Sequence, residues 1–216
     1  MKNSFSTLTL YLDAPLQSWG YQSRFDRRTT FSMPTRSGIL GMICAAMGID
    51  RTDSKALEKF IALKLTCLAL KQHVRLIDFH TIGGGWDKKI NPNNLIPTAE
   101  GKPGQTKITR REYLQWSKFG VLIQGSEKIL HEIAEALKNP RWGIWLGRKS
   151  CIPASPVFQG IFSSTDEAIE HLMELSGTSV ERMVEEVTSF EDGSDTLNDI
   201  PLNFHTRQFA PRRIRT

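Results

Sequence analysis

The amino-acid sequence predicts an α+β fold, in which short strands and amphipathic or buried helices alternate along the chain. Residues 5–12, FSTLTLYL, alternate apolar with polar side chains and predict a first strand. Residues 34–49, PTRSGILGMICAAMGI, carry apolar side chains at helical spacing with a glycine at the end, which predicts a buried helix. Residues 127–139 follow a serine, place Ile and Leu on one stripe and stop before a proline, so they predict a second helix.

The remaining elements complete a recognisable order. A short helix is predicted at 54–63, where a serine is a candidate cap, and a strand at 64–74, which is apolar and bounded by charge. Further strands are predicted at 119–125, before the second helix, and around 142–146, after it. The order is then β-α-β-β-α-β, which is typical of ferredoxin-like or RNA-recognition-motif-like (RRM-like) domains. A fold of this kind does not by itself determine a function.

A long insertion and a change in composition divide the chain. Residues 75–112 are rich in Gly, Asn and Pro, and insertions of this length are usually functional or disordered, so we expect an extended arm or β-hairpin. The Pro-rich stretch CIPASP, which begins at Cys151, marks a boundary. We therefore predict one domain over residues 1–150 and a small C-terminal region over residues 151–216 that packs on it.

The charges are distributed unevenly. The formal net charge is +5, but residues 163–200 contain eleven acidic residues and one arginine, a net charge of −10, which leaves +15 for the rest. The basic residues concentrate in four stretches: 24–36, 102–111, 141–149 and 207–215. This asymmetry favours a polyanionic partner for the basic part. The alternative is a solvated surface on which the bases cluster by chance.

The sequence gives no support to a metal site, a disulfide framework or a membrane span. The three cysteines, Cys44, Cys67 and Cys151, are too widely spaced for a paired zinc motif, and two of them lie in apolar runs. No H-E-x-x-H motif or acidic metal loop is present, so we expect no metal and no cofactor. No apolar run reaches the roughly 18 to 20 residues that a membrane span needs, which predicts a cytoplasmic protein without a membrane partner.

The stretch GIWLGRKS, residues 143–150, resembles a phosphate-binding P-loop only superficially. Its two glycines are separated by three residues instead of four, and Arg148 stands between the second glycine and Lys149. Nucleotide binding by a P-loop is therefore rejected. Arg148, Lys149 and Ser150 stay candidates for contact with a nucleic-acid phosphate, with a solvated turn as the alternative.

Two stretches, residues 17–37 and 106–116, place arginine or lysine among hydroxyl and aromatic side chains. This combination suits a protein that holds a single-stranded backbone while it stacks a splayed base. In the first stretch Arg36 opens a helix where the macrodipole would favour an acid. A phosphate bound by Arg36 and by the amides near Ser37 and Gly38 would explain this choice, as would an ion pair with a local acid such as Asp26.

A second function is compatible with the same residues. His80, Tyr113 and Lys107 are residue types from which a metal-independent ribonuclease can be built, with a base that activates the ribose 2′-hydroxyl and a cation that stabilises charge. A single histidine in a polar segment is more often a hydrogen-bonding residue than a catalyst. The sequence leaves this alternative open, together with a third: a scaffold that contacts only proteins.

Six blocks of sequence, in order along almost the whole chain, resemble one known family. They are LDAPLQSWG (12–20), PTRSGILGMICAAMGI (34–49), FHT (79–81), TRREYL (109–114), LGRKSCIPASPVFQG (146–160) and RQFAPR (207–212). Together they are similar to the CasD family, the subunit of the type I-E CRISPR Cascade complex that binds the 5′ handle of the CRISPR RNA (crRNA).

The resemblance implies a modified ferredoxin-like domain with an extended thumb, which corresponds roughly to residues 75–112. It implies a non-catalytic subunit in antiviral defence that grips the crRNA 5′ handle next to the backbone subunit CasC. The other implied partners are the large subunit CasA, the nuclease CasE and, indirectly, the target DNA. Type I-C relatives do cleave RNA with a Tyr, Lys and His cluster, which makes His80 and Tyr113 the decisive pair.

Residue patterns and resemblance together give a set of candidate RNA-binding residues, with no catalytic or metal-binding residue among them. The set is Gln17, Ser18, Trp19, Arg24, Arg27, Arg28, Thr35, Arg36, Ser37, Gly38, His80, Lys107, Thr109, Arg110, Arg111, Tyr113, Arg148, Lys149 and Ser150.

Overall fold

The computed structural model describes residues 6–21, 23, 26–71, 74–82 and 107–216 and has a mixed α/β architecture. The helices in these ranges are α1 (Arg36–Met47), a 3-10 helix (Lys55–Phe60), α2 (Glu127–Lys138) and α3 (Thr165–Ser176). The strands are β1 (Thr7–Asp13), β2 (Leu16–Gln17), β3 (Trp19–Gly20), β4 (Arg27–Arg28), β5 (Thr30–Phe31), β6 (Lys64–Lys71), β7 (Val74–Ile82), β8 (Lys107–Gln115), β9 (Lys118–Gln124), β10 (Phe158–Phe162), β11 (Arg182–Val187), β12 (Asp195–Asn203) and β13 (Gln208–Arg215). Within the described part of the chain, no helix has both the length and the apolar character to cross a membrane.

Seven strands form one antiparallel sheet in the order β10-β1-β9-β6-β11-β13-β12. Side chains alternate between the two faces of a strand, so Leu8, Leu10 and Leu12 of β1 point to one face and Tyr11 to the other. All four are buried. The alternation of apolar and polar residues predicts a strand with one buried face. In the structure both faces of β1 are buried.

Helices cover both faces of this sheet. The leucines of β1 belong to a large core with buried residues of α1 and α2, such as Ile43 and Ile133. Tyr11 belongs to a smaller core on the other face, where Leu172 of α3 packs. Ser164 caps α3, and its side chain accepts a hydrogen bond from the amide of Glu167 at 3.2 Å. The seven-stranded sheet is therefore covered by α1 and α2 on one face and by α3 on the other.

The prediction of a strand around 142–146 is wrong. These residues lie outside any strand, and the strand that follows α2 is β10. The amides of Arg141 and Trp142 donate to the carbonyls of Ala46 and Ala45 at 2.8 and 3.2 Å. The start of the segment thus caps the C-terminal end of α1, while the Leu146 amide donates to the Cys151 carbonyl at 2.8 Å instead of to a neighbouring strand.

Residues after 150 contribute four of the seven strands, β10 to β13, to the same sheet that contains β1, β6 and β9. The division of the chain at residue 150 stays a prediction. The pairing of β6 with β11 nevertheless joins the two parts through backbone hydrogen bonds, from Arg182 opposite Ala69 to Glu185 opposite Thr66.

A second, smaller sheet contains the insertion. β7 and β8 form an antiparallel hairpin from Val74 opposite Gln115 to Ile82 opposite Lys107. β2 and β4 pair with the other edge of β8. The hairpin agrees with the arm predicted at 75–112, and residues 83–106 of that prediction lie outside the described residues.

The three cysteines are buried free thiols. Burial raises the pKa of the Cys44 thiol to about 11 and that of the Cys67 thiol to about 12. Both are therefore protonated at neutral pH, which agrees with their interpretation as small apolar side chains.

Candidate nucleic-acid interface

The β7–β8 hairpin and β4 present a surface rich in basic residues. Because side chains alternate along a strand, Lys107, Thr109 and Arg111 of β8 share one face. His80 of β7 lies opposite Thr109 and points to the same face. β4 pairs with the other edge of β8 and sets Arg28 beside Arg111. We call the surface formed by these five residues the basic face.

In the described part of the chain, the acidic residues beside the basic face are Asp78 and the exposed Asp26, which directly precedes β4 and whose backbone carbonyl accepts from the Arg110 amide. Asp78 lies opposite Arg111 and is half-buried. Glu112 points to the reverse side of the hairpin, where it forms an ion pair with Arg75 at 3.1 Å. The Nε of Arg111 donates to the Thr109 hydroxyl at 3.1 Å, which orients the guanidinium. The surface is therefore suited to a phosphate backbone.

The reverse side of the hairpin pairs a guanidinium with an exposed ring. Arg27 lies beside Arg110, and the Arg110 guanidinium lies 6.0 Å from the centroid of the Phe79 ring. The Phe79 side chain is 59% exposed. An exposed ring beside a cation can stack a base, so Arg27 and Arg110 stay candidates on this second side.

Arg148 fastens the loop after α2 to the base of the hairpin. Its Nη1 donates to the carbonyl of Glu112 at 2.8 Å and its Nη2 to the carbonyl of Arg28 at 2.9 Å. The guanidinium also stacks on the Tyr113 ring, 4.6 Å from its centroid. Arg148 therefore positions β4 against β8 and adds positive charge, while both of its Nη atoms donate to carbonyls of the protein.

The neighbours of Arg148 extend the positive surface. The Lys149 ammonium lies 6.0 Å from the centroid of the Trp145 ring, and the Ser150 hydroxyl lies 3.5 Å from the Tyr113 hydroxyl. Lys149 and Ser150 are exposed, whereas Tyr113 is buried. The structure thus brings residues 148–150 next to the hairpin. That these three residues contact a phosphate stays a prediction from the sequence.

Gly147 allows this loop to approach the first loop of the chain. It has φ +101°, and a Cβ atom there would lie 1.7 Å from the carbonyl oxygen of Ser18. The Ser18 amide donates to the carbonyl of Leu146 at 3.0 Å. Only glycine combines this backbone conformation with so close an approach.

His80 and Tyr113 do not meet. Tyr113 is four residues beyond Thr109 on β8, so its Cα lies about 13 Å along the strand from the His80–Thr109 pair. Among the described residues, nothing hydrogen-bonds to the buried Nδ1 of His80. The pair therefore does not form the hydrogen-bonded cluster that a base and its partner need.

Gln17, Ser18 and Trp19 hold the first loop together from inside. The Gln17 amide donates to the carbonyls of Leu12 and Ser117 at 2.9 and 2.8 Å and accepts from the Trp19 indole at 3.2 Å. Trp19 is fully buried, and Ser18 is almost so. The indole is therefore not available to stack a base, and the expectation of direct RNA contact by these side chains is corrected to a supporting role.

The expectation of a phosphate at the Arg36 side chain is also corrected. Arg36 is 1% exposed, and its Nη1 pairs with Glu186 at 2.5 Å and donates to the carbonyl of Leu63 at 2.8 Å. Its Nη2 donates to the carbonyls of Phe60 and Ile61. Burial lowers the pKa of Arg36, an effect that the Glu186 carboxylate opposes. The alternative that Arg36 forms an ion pair is confirmed, but its partner is Glu186 and not a local acid such as Asp26.

The anion at the start of α1 is part of the protein itself. One carboxylate oxygen of Asp199 accepts from the Arg36 amide at 2.7 Å, and the same carboxylate holds the Arg212 side chain at 2.6 and 3.0 Å. Burial lowers the pKa of Arg212, but its hydrogen bonds to Asp199 and the negative charges of Asp199 and Glu186 raise it, and the net shift is upward. A carboxylate at a helix N-terminus stabilises the helix dipole. We call Arg36, Glu186, Asp199 and Arg212 the buried ion network.

The other candidates near α1 divide between support and surface. Thr35 is buried and caps α1, accepting from the Gly38 amide at 3.2 Å. A Cβ atom on Gly38 would lie 2.8 Å from the Trp19 ring, so this glycine makes room for the indole. Ser37 is half-buried at the rim of a cavity. Arg24 lies outside the described residues.

Sequence reasoning missed two residues near this surface. Arg207 and Phe209, at the turn and start of β13, line a cavity together with Arg28 and Ser37. The sequence contains two signals for them: the basic C-terminal stretch, which also fits a solvated terminus, and the block RQFAPR (207–212) that contributes to the family resemblance. In the described ranges, no three His, Cys, Asp or Glu side chains converge in a way that could hold a metal ion.

Comparisons with known proteins find relatives along nearly the whole chain. The family model described as CRISPR-associated protein (Cas_Cas5) matches residues 7–215. "CRISPR system Cascade subunit CasD" of Escherichia coli (strain K12) is 30% identical over 219 residues, which cover 96% of this chain and 93% of that protein.

Two solved structures are also similar. A chain of a "CRISPR RNA-guided surveillance complex" has a TM-score of 0.78 and 32% identity, with 97% of this chain and 88% of that chain covered. A "Crystal structure of Cas protein" has a TM-score of 0.66 and 28% identity, with 97% and 92% covered. Because the family model and these relatives match nearly its whole length, the chain belongs to the Cas5 family of CRISPR-associated proteins.

Proposed function

We propose that this protein is a non-catalytic RNA-binding subunit of a type I-E Cascade complex that grips the 5′ handle of the crRNA. The observation that carries the proposal is the basic face, which sets Arg28 and Arg111 side by side on adjacent strands, with Lys107 on the same face four residues earlier in β8. The similarity to E. coli CasD supports the assignment to Cascade. In this role the protein contacts CasC, CasA and CasE, approaches target DNA through them, and acts in the cytoplasm.

The main sheet supports a ferredoxin-like origin for the domain. β1, α1, β6, β9, α2 and β10 follow one another in a β-α-β-β-α-β order once three insertions are set aside: the short strands β2 to β5, the 3-10 helix and the β7–β8 hairpin. Their strands are neighbours in the order β10-β1-β9-β6, with every pair antiparallel. The hairpin of β7 and β8 then corresponds to the base of the thumb.

The basic face gives a direct test with a salt readout. In filter binding with crRNA that carries its handle, Lys107→Ala with Arg111→Ala is expected to weaken binding about a hundredfold at low salt, at about 1.4 kcal/mol for each side chain removed. The slope of log affinity against log salt should fall by about 0.7 for each phosphate that is no longer neutralised. Lys55→Ala with Lys128→Ala removes two exposed charges elsewhere and should change little. Equal losses of affinity in both double variants would show that only net charge matters and contradict the proposed face.

The alternative of a metal-independent endoribonuclease that processes precursor crRNA predicts a different result. We expect the purified protein, incubated with repeat RNA in chelator, to leave the RNA uncut, because His80 and Tyr113 lie apart on the hairpin. Specific cleavage that disappears in His80→Ala would overturn the non-catalytic assignment. If the intact complex yields no RNA crosslink to this subunit, a protein-only scaffold is favoured instead.

A further inference from the structure

A cavity of about 370 Å³ lies between the first loop, the start of α1 and the β12–β13 hairpin. Tyr21, Arg28 and Ser37 line it from the N-terminal side, and Arg207 and Phe209 from the C-terminal side. Arg28 belongs to the basic face as well, so the cavity opens next to that surface. A strand bound along the basic face would therefore reach the cavity through Arg28.

The cavity has a positive lining. Among the described residues, no carboxylate pairs with the guanidinium of Arg28 or Arg207. Asp199 is the acid in the lining, and it is almost fully buried with both carboxylate oxygens bonded to Arg212. Two cations are thus left to face the space, which suits an anionic ligand.

Arg207 is held in an unusual conformation. Its φ is +56°, in the left-handed region that arginine rarely adopts. The turn before it is fixed by the Asn203 side chain, which accepts from the Thr206 amide at 2.9 Å. A strained residue that its surroundings hold in place is often part of a ligand site. Arg207, in this conformation, is one of the residues that line the cavity.

The aromatic lining adds a second recognition element. Phe209 is half-buried, so part of its ring remains accessible from the cavity, and Tyr21 lines the same space. A ring beside guanidinium groups suits a nucleotide, since the base can stack while the phosphate binds the cations. The Ser37 hydroxyl supplies a polar group at the rim.

We propose that this cavity binds one nucleotide of a single-stranded RNA, with its phosphate between Arg28 and Arg207 and its base against Phe209. The inference rests on the proposed function and extends it, because it assigns an RNA contact to the β12–β13 hairpin. The bound nucleotide follows directly on the part of the strand that crosses the basic face.

The test compares matched variants of the full-length protein in fluorescence anisotropy with the same handle-containing crRNA. Arg207→Ala is expected to weaken binding about tenfold and to lower the salt slope by about 0.7. Arg207→Lys should retain most of the affinity. The control is Arg51→Ala, since Arg51 is also exposed and contacts the β12–β13 connection, at the carbonyl of Phe204, without lining the cavity. Thermal unfolding of each variant checks that the fold is intact.

A photocrosslinking arm locates the base. Crosslinks from 4-thiouridine, placed in turn along the handle, are expected at Phe209 for one position and should disappear in Phe209→Leu. If Arg207→Ala and Phe209→Leu bind like the unmodified protein while Lys107→Ala with Arg111→Ala does not, the cavity inference is wrong and the proposed function stands. If none of these variants binds more weakly, both are wrong.

A free nucleotide has the same chemistry as a nucleotide in a strand. Titration with adenosine 5′-monophosphate separates these sources, because a site for an RNA strand should bind the mononucleotide only weakly. Tight mononucleotide binding that disappears in Arg207→Ala, with RNA affinity unchanged, would assign the cavity to a free nucleotide and overturn the inference.

Discussion

Replacing Asp199 with alanine is expected to lower the free energy of unfolding by about 3 to 5 kcal/mol, the usual cost of breaking a buried ion pair. Asp199 is 2% exposed, and its carboxylate binds both the Arg36 amide and the Arg212 side chain. Its removal leaves Glu186 as the remaining acid of the buried ion network for two buried guanidinium groups. Urea denaturation followed by circular dichroism measures the loss of stability.

The matched control is Asp195→Ala on the same strand, β12. Asp195 is exposed and its carboxylate contacts the amide of Thr196. Surface substitutions of this kind usually change stability by no more than about 0.5 kcal/mol. A similar small change for Asp199→Ala would mean that the buried ion network contributes little to the fold.

Gly147→Ala is the second substitution with a large expected effect, a destabilisation of about 2 to 4 kcal/mol that the same urea denaturation measures. The new Cβ would lie 1.7 Å from the Ser18 carbonyl oxygen, so the two loops must separate and break the Ser18–Leu146 hydrogen bond. The strained φ and the broken bond together account for the expected range. Because Arg148 is the next residue, the movement should also weaken RNA binding.

Gly177→Ala separates the effect of a positive φ from the effect of the close approach to Ser18. Gly177 also has a positive φ, +67°, but a Cβ atom there would have no neighbour within 4 Å. It should therefore cost only the conformational part, about 1 kcal/mol. Equal destabilisation at the two glycines would show that the close approach to Ser18 is unimportant.

Local patterns were sufficient where an element depends on its own residues. β1 was predicted by strict alternation, and α2 by its apolar stripe between a serine and a proline; both lie within two residues of the expected bounds. The strand expected at 142–146 failed because the Trp142 amide bonds to the end of α1, which is distant in sequence, and the Leu146 amide bonds to the Cys151 carbonyl. No local sequence pattern predicts this contact with the end of α1.

The candidate site also depends on contacts between distant parts of the sequence, which local patterns do not predict. The basic stretches pointed to Arg28, Lys107 and Arg111, which the structure brings to one face. The phosphate hypothesis for Arg36 failed, because Asp199 is 163 residues away in the sequence. The sequence shows the acidic excess at 163–200. It does not show that two residues of this segment, Glu186 and Asp199, neutralise buried arginines.

The buried ion network also determines when the chain can finish folding. Arg36 emerges from the ribosome early, whereas Glu186, Asp199 and Arg212 are synthesised much later. Contacts so far apart in sequence form late, since their loops must close first. Until then the start of α1 carries a cation without its acidic partners. We therefore expect a nascent chain to be open to misassembly until the β12–β13 hairpin, which carries Asp199 and Arg212, has been synthesised.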